Sequence, residues 1–144
     1  MREIKDTQRA SVRIGYDGHV QKTFRGPDAT DRHTNEVRVL QYLEEKGCTY
    51  VPKLLEWDDE DLSLVTTNCG SRVEDSISKT RTGELYKELE RDFGVRHGDP
   101  FARNITYDPS LGRFCIIDFE YAGILEKGEG LLQPESRTDH ERKR

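Results

Sequence analysis

The stretch His97-Gly98-Asp99-Pro100-Phe101-Ala102-Arg103-Asn104 and the later Asp118-Phe119-Glu120 decide the fold expected for this chain. Residues 104–107 and 113–117 have the composition of strands, and the turn-forming run 108–112 lies between them. The sequence therefore predicts a β-hairpin that holds Asn104 and Asp118 together at its open end. Because an Asp carboxylate and an Asn carbonyl supply the oxygen ligands that Mg²⁺ prefers, we expect these two side chains to share a cation. Asp99, on the preceding loop, is then free to accept a proton.

The composition restricts the class of protein. With 144 residues, 33% hydrophobic and 35% charged, the chain is expected to form one modest domain with a thin core. Its net charge of −5 argues against nucleic acid or an anionic membrane as a direct partner. No apolar run approaches the roughly 20 residues of a membrane-spanning helix, and no signal peptide begins the sequence. These features predict a cytoplasmic protein in which Cys48, Cys69 and Cys115 are reduced.

The first strands place a cation on an apolar face. Residues 1–24 alternate between apolar and polar side chains, and Asp17-Gly18 is typical of a two-residue turn between antiparallel strands. In the second strand Val20, Lys22 and Phe24 share one face. A cation buried there needs an anionic partner, because burying it alone costs several kcal/mol. The alternative is a lysine at a sheet edge whose amine reaches water.

A predicted helix offers that partner. Residues 31–46 have helical periodicity and precede Gly47, and Glu36, Leu40 and Leu43 lie on one helix face. An inward Glu36 would match an inward Lys22. The alternative is a solvated Glu36 on a charged helix.

The remaining elements complete an α+β pattern. Strands are predicted at 52–57 and 62–66, and residues 72–81 form either a short helix or a loop. Thr82 is expected to cap a helix that ends at Gly94. Residues 1–125 are therefore expected to form one α+β unit, and the polar residues 126–144 a flexible tail.

The two motifs of the opening stretch resemble those of the protein-kinase-like superfamily. Its catalytic loop has the form H-[RG]-D-x-x-x-x-N, and its metal-binding Asp lies in D-F-G or D-[FW]-E. With Gly98 and with Asp118-Phe119-Glu120, the chain is most similar to the aminoglycoside phosphotransferase and choline kinase branch. The resemblance covers about residues 4–123. It implies a bilobal fold, with an upper lobe of antiparallel sheet and one helix (about 1–70) and a minimal lower lobe (about 71–125).

The resemblance also implies a role for each matched residue. Asp99 is the catalytic base, Lys22 contacts the phosphates of ATP and pairs with Glu36, and Asn104 and Asp118 hold Mg²⁺. Position in the chain assigns adenine binding to Thr66, Thr67 and Asn68. The family's glycine-rich phosphate loop is replaced by residues 6–12, which contain no glycine, so that Ser11 is expected to help hold the nucleotide.

These roles imply an ATP-dependent phosphotransferase that moves the γ-phosphoryl group to a hydroxyl of a protein or small molecule. The sequence does not identify the acceptor. One alternative is a nucleotide-binding pseudokinase or regulatory subunit, because the glycine loop is missing and the lower lobe is short. Another is an ATPase that serves a partner, and a partner protein could also complete the lower lobe.

Overall fold

The protein is described here by a computed structural model of residues 2–127. Its first half is a five-stranded antiparallel sheet with the strand order β1-β2-β3-β5-β4. The strands are β1 (Arg2–Asp6), β2 (Ala10–Ile14), β3 (Val20–Phe24), β4 (Leu54–Asp58) and β5 (Ser63–Thr66). Helix α1 (Ala29–Glu45) connects β3 to β4 and packs against both of them.

The second half combines a helix with two small sheets. Its elements are β6 (Ser71–Arg72), α2 (Lys79–Phe93), β7 (Val95–Arg96), β8 (Ile105–Asp108), β9 (Arg113–Ile116) and β10 (Gly123–Ile124). Strands β6, β8 and β9 form one antiparallel sheet, and β7 pairs with β10 in another. The predicted α+β class and the predicted β8–β9 hairpin are confirmed.

The predicted hairpin between β2 and β3 is also confirmed, but its turn is longer than predicted. The Gly15 N–H donates to His19 O at 2.9 Å, and the Gly18 N–H donates to Gly15 O at 3.0 Å. Asp17 Oδ1 accepts from the His19 N–H at 2.9 Å, which fixes a wider turn than Asp17-Gly18 alone. Tyr16 is consequently outside the strands and 96% exposed.

The start of α2 differs from the prediction that Thr82 caps it. Ser78 is the N-cap, because its Oγ accepts from the Arg81 N–H at 3.0 Å. The Thr82 hydroxyl instead donates back to Ser78 O at 2.9 Å. The predicted end at Gly94 is confirmed, and this residue adopts a left-handed φ of 65°.

The main apolar core is built from both helices and the strands β7 to β10. Its fully buried members include Leu43, Leu85, Leu89, Ile105, Ile116 and Phe119. A second, small cluster under the five-stranded sheet consists of Phe24, Val37 and Leu64. Because α1 contributes Val37 to the small cluster and Leu43 to the main one, this helix joins the two halves.

Three further predictions concern cysteines, the membrane and the tail. Cys48, Cys69 and Cys115 are buried free thiols, as predicted. Neither α1 nor α2 has the length and apolar character to cross a membrane, within the residues described. The predicted tail at 126–144 lies outside the described residues except for its first two, which continue a 3-10 turn over Leu125–Lys127.

Candidate functional site

Lys22 and Glu36 form a buried ion pair between β3 and α1. Lys22 Nζ lies 2.8 Å from Glu36 Oε1, and each residue is 4% exposed. Two further carboxylates approach the same amine, with Asp118 Oδ1 at 3.3 Å and Glu120 Oε2 at 3.9 Å. Lys22 is therefore the cation of a cluster of three carboxylates that come from α1 and from the segment after β9.

Arg32 is a second cation in this cluster. It is 0% exposed, and its Nη1 donates to Glu120 Oε2 at 3.1 Å. Its guanidinium also donates to the main-chain carbonyls of Pro27 at 2.9 Å, Arg25 at 2.6 Å and Arg9 at 3.3 Å. A buried guanidinium is tolerated only when acceptors surround it, and here four acceptors come from three separate parts of the chain.

One face of α1 binds the segment after β9 through hydrogen bonds. Glu36 Oε2 accepts from the Phe119 N–H at 3.0 Å. Asn35 Nδ2 donates to Glu120 O at 3.0 Å and to Ala122 O at 2.9 Å. The segment has little regular structure of its own, so α1 supplies partners that its main chain would otherwise lack.

Both carboxylate oxygens of Asp99 accept hydrogen bonds. Arg103 Nη2 lies 2.8 Å from Oδ1 and 3.0 Å from Oδ2, and Asn104 Nδ2 donates to Oδ2 at 3.1 Å. The sequence left the Asp99 carboxylate without a partner, whereas in the structure it accepts hydrogen bonds from Arg103 and Asn104. The reason is the 3-10 turn Ala102–Asn104, which brings two later side chains back onto the carboxylate.

The residues before Asp99 fix its position. The His97 ring accepts from the Asp99 N–H through Nδ1 at 3.2 Å, and its Nε2 lies 2.8 Å from Ile117 O. Burial lowers the pKa of His97, so the neutral ring donates from Nε2 and accepts at Nδ1. Gly98 has a φ of +85°, and a Cβ there would lie 2.1 Å from Tyr121 O. Only glycine therefore fits at this position.

A cavity of about 490 Å³, here called the larger cavity, opens between the five-stranded sheet and the second half of the chain. Its apolar lining includes Val12, Ile14, Val20, Leu64 and Ile117, and its polar lining includes Lys22, Glu36, Thr66, Thr67, Asn68, Arg72 and Asp118. Thr67 is already hydrogen-bonded through its main chain, because its N–H donates to Lys53 O and its carbonyl accepts from Thr66 Oγ1, both at 3.0 Å.

A smaller space of about 220 Å³, here called the basic cavity, lies on the other side of Asp118. Its lining comprises four cationic side chains (Lys5, Arg9, Arg72, Arg103), three carboxylates (Asp99, Asp118, Glu120) and three neutral residues (Thr7, Asn104, Tyr121). Asp118 and Arg72 line both spaces, so the two cavities adjoin.

The electrostatics of the cluster keep opposite charges in place. Burial alone would lower the pKa of Lys22, but Glu36, Glu120 and Asp118 outweigh it and hold that pKa above its usual range. Burial would likewise raise the pKa of Asp118, yet Lys22, Lys5 and Arg72 hold it below its usual range. Lys22 therefore stays protonated and Asp118 ionised at neutral pH.

The donor set where the cavities meet fits a hard divalent cation such as Mg²⁺. Asp118 offers a carboxylate, and Asn104, whose amide nitrogen is used by Asp99, offers its carbonyl oxygen. Asp118 has a φ of 63°, an uncommon conformation for a non-glycine residue that is often found at functional sites. Within residues 2–127 no three His, Cys, Asp or Glu side chains form a metal site, so other ligands would have to complete the coordination.

Most of the residues predicted for the site lie around these two cavities. Lining the larger cavity are Lys22, Glu36, Thr66, Thr67 and Asn68. Asp99 and Asn104 line the basic cavity, and Asp118 lines both. Ser11 is among the lining residues of neither cavity. It is opposite Thr23 in the β2–β3 register, and alternation along β2 places it on the face away from Val12.

Sequence reasoning missed four residues that hold the site together, namely Arg32, Asn35, Arg103 and Glu120. A signal existed for two of them, since Arg32 lies four positions before Glu36 and shares its helix face. Asn35 adjoins the same face. Arg103 and Glu120 carried no pattern beyond their place within the two motifs.

Comparison of the chain with models of known protein families gave no match, and comparison with curated proteins gave no significant one.

Proposed function

We propose that this protein is an ATP-dependent phosphotransferase with a minimal protein-kinase-like fold, which transfers the γ-phosphoryl group of Mg-ATP to a hydroxyl. One observation carries the proposal. Five residues matched one by one in the sequence, Lys22, Glu36, Asp99, Asn104 and Asp118, come together around two adjoining cavities in the folded chain. They come from β3, α1, the loop before β8 and the segment after β9, and a chance match of motifs gives no reason for these four parts of the chain to meet.

The larger cavity suits the nucleotide. Its volume of about 490 Å³ is within the range usual for cofactor sites, and its apolar side chains offer surfaces against which an adenine ring can pack. Thr66, Thr67 and Asn68 lie at one edge, where polar groups could meet the base. Lys22 lies on the same wall and, being protonated, offers a charge to the phosphates.

Asp118 and Asn104 are the residues that would hold Mg²⁺. When bound, the ion would offset the negative charge of the phosphates, including the group being transferred. Glu36 would hold Lys22 in position, as it does through the 2.8 Å ion pair. Positioning and charge neutralisation account for most of the catalysis in phosphoryl transfer, so few residues are needed.

Asp99 is assigned to the acceptor hydroxyl. The hydroxyl oxygen forms a bond to the γ-phosphorus, the bond to the β-phosphate oxygen breaks, and ADP leaves with that electron pair. The hydroxyl proton passes to a carboxylate oxygen of Asp99. Arg103 and Asn104 orient this carboxylate by the hydrogen bonds described above.

A second candidate, a nucleotide-binding regulatory protein without transferase activity, is favoured by the same Arg103 contact. Both oxygens of Asp99 lie within 3.0 Å of Arg103 Nη2, and a base in that state has to share its carboxylate with the guanidinium. An ATPase that serves a partner protein would need the same residues and would use water in place of the acceptor.

Two substitutions test the proposal. Asp118→Asn removes the charge that faces Mg²⁺ and is expected to weaken Mg²⁺-dependent binding of an ATP analogue as well as turnover. Asp99→Asn is expected to spare binding and to lower turnover by about 10²- to 10⁴-fold, the usual contribution of a general base. The measurements are calorimetric titration of the analogue and release of phosphate or labelling of an acceptor.

Asp61→Asn is the matched control, because Asp61 is exposed in the turn between β4 and β5 and lines neither cavity. Equal turnover by the parent and Asp99→Asn would end the catalytic assignment. Binding of the analogue without any turnover by the parent would favour the regulatory protein.

A further inference from the structure

The ion-pair cluster around Lys22 carries more negative than positive charge. Its two cations are Lys22 and Arg32, and its three carboxylates are Glu36, Asp118 and Glu120. The cluster therefore has an excess of one negative charge before a nucleotide binds. Mg²⁺ at Asp118 would reverse that sign, but a triphosphate brings several negative charges of its own. Further cations beside Asp118 are therefore needed if a triphosphate is to be held there.

The turn between β1 and β2 uses its main-chain donors within itself. The Thr7 N–H donates to Ala10 O at 2.9 Å, and Thr7 Oγ1 accepts from the N–H groups of Arg9 and Ala10, both at 3.2 Å. Arg25 Nε donates to Thr7 O at 2.8 Å, which fixes the turn against the end of β3. A phosphate beside this turn would consequently meet side chains, and not a cradle of main-chain N–H groups.

Lys5 lies on the same face of the five-stranded sheet as Lys22. In the strand register Lys5 is opposite Val12, and Val12 is opposite Lys22. Residues directly opposite each other project to one face, and each strand spacing is about 4.8 Å, so the two lysines start roughly 10 Å apart on that face. Lys22 lines the larger cavity, Lys5 lines the basic cavity and Asp118 lines both. A row of phosphates that runs past Asp118 would therefore have a lysine at each end.

Arg72 approaches Asp118 from the second half of the chain. It lies in β6, opposite Thr106 of β8, and it lines both cavities. Against the effect of burial, Lys22, Lys5 and Arg72 lower the pKa of Asp118, which places Lys5 and Arg72 within electrostatic range of that carboxylate. Within residues 2–127 neither Lys5 nor Arg72 forms a hydrogen bond or a close ion pair through its side chain. Both cations can therefore bind an anion at Asp118 without first breaking such a bond.

We propose that Lys5 and Arg72 bind the γ-phosphate of ATP from the two halves of the chain and take the place of a glycine-rich phosphate loop. This inference rests on the proposed phosphotransferase function. Their two charges change the excess at the cluster from negative to positive, and the guanidinium can give two parallel hydrogen bonds to a phosphate. Because Lys5 belongs to β1 and Arg72 to β6, a phosphate shared by them also ties the two halves together across the cavities.

The experiment measures binding of three ligands that differ in their phosphates. A non-hydrolysable ATP analogue, ADP and adenosine are each titrated calorimetrically into the full chain in the presence of Mg²⁺. We expect Arg72→Gln and Lys5→Gln each to weaken binding of the analogue by about tenfold, because each loses one charge-assisted contact. The loss for ADP should be smaller, and adenosine binding should change less than about twofold. Arg72→Lys keeps the charge and is expected to lose less affinity for the analogue than Arg72→Gln.

Two control variants change the net charge of the protein by the same amount. Lys87→Gln and Arg91→Gln each remove one positive charge from an exposed position of α2, outside both cavities. Both are expected to bind all three ligands as the parent does. Urea denaturation of Lys5→Gln and Arg72→Gln should give the midpoint of the parent, because neither residue is buried.

The outcomes separate this inference from the proposed function. Unchanged binding of the analogue by Arg72→Gln and Lys5→Gln would overturn the inference and leave the phosphotransferase proposal standing. Equal losses for the analogue, ADP and adenosine, or equal losses in the two control variants, would also overturn it, because the effect would then not depend on the γ-phosphate. A parent protein that binds no Mg²⁺-ATP analogue would refute the proposed function, and this inference with it.

Discussion

At the scale of single residues, Gly98 shows how a missing side chain shapes the site. Its φ of +85° and the closeness of Tyr121 O together exclude a Cβ. The loop can therefore lie against the segment after β9, which places Asp99 and Asp118 beside the same cavity. An arginine at this position could not be accommodated without moving that segment.

Gly98→Ala is expected to destabilise the fold more than Gly112→Ala does. Gly112 has a similar left-handed φ of +68°, but a Cβ there would meet nothing within 4 Å. Gly112→Ala should therefore cost only the left-handed strain of about 1–2 kcal/mol, and Gly98→Ala should add the clash with Tyr121 O. Urea denaturation of both variants measures the difference, and equal losses would contradict the close approach at Gly98.

At the scale of elements, α1 determines where the segment after β9 lies. Three of its side chains, Arg32, Asn35 and Glu36, bond to residues 119–122 on one helix face. Glu36, on this same face, is also the ion-pair partner of Lys22. A shift of α1 would therefore break the ion pair between Lys22 and Glu36 and release the segment after β9 at the same time.

Asn35→Ala is expected to loosen that segment. Two buried carbonyls, those of Glu120 and Ala122, would lose their donor, at a cost of about 1–3 kcal/mol. Amide hydrogen exchange across 118–122 should rise by more than it does elsewhere. Thr34→Ala, at an exposed position of the same helix, serves as control and should change stability by no more than about 0.5 kcal/mol. Unchanged exchange in Asn35→Ala would show that α1 does not hold the segment.

At the scale of the whole molecule, the two halves share their core. The small cluster of Phe24, Val37 and Leu64 is too limited to stabilise the five-stranded sheet by itself, and α1 extends it into the main core. Unfolding of residues 2–127 is therefore expected to be a single cooperative transition. Buried groups where the two halves meet contribute to the stability of both.

The pH dependence of that stability should reflect His97, which is buried in the second half against Tyr86 and Phe119. Burial lowers the pKa of His97 in the folded protein. As the pH falls through about 6.5, the His97 ring is therefore protonated in the unfolded chain but stays neutral in the folded one. The free energy of unfolding should therefore fall as the pH drops below about 6.5, by at most about 1.4 kcal/mol per pH unit from this residue. The parent should lose more stability between pH 7 and 5 than His97→Gln does, in urea denaturation at each pH.

An NMR titration provides the direct check on the same residue. The His97 ring should stay in the neutral form with its proton on Nε2 through pH 6.5, because Nδ1 accepts from the Asp99 N–H. Protonation of His97 near its ordinary pKa, or equal pH slopes for parent and variant, would refute the role assigned to burial.

The sequence alone determined the elements whose signals are local. The strands on either side of residues 108–112, the helix that ends at Gly94 and the face shared by Lys22 and Phe24 follow from turn residues and periodicity over a few positions. The pairing of Lys22 with Glu36 could also be inferred, because a buried cation and an inward carboxylate each require a partner.

Only the tertiary structure decided how Asp99 is held, where Ser11 faces and what surrounds Arg32. Arg32 meets Glu120 across 88 positions of sequence, and the basic cavity combines residues from the first turn, the loop before β8 and the segment after β9. No periodicity links such positions, because contacts between distant segments depend on the packing of whole elements. The short 3-10 turn that brings Arg103 onto Asp99 is likewise selected by the loop's surroundings, since its three residues carry no strong local preference.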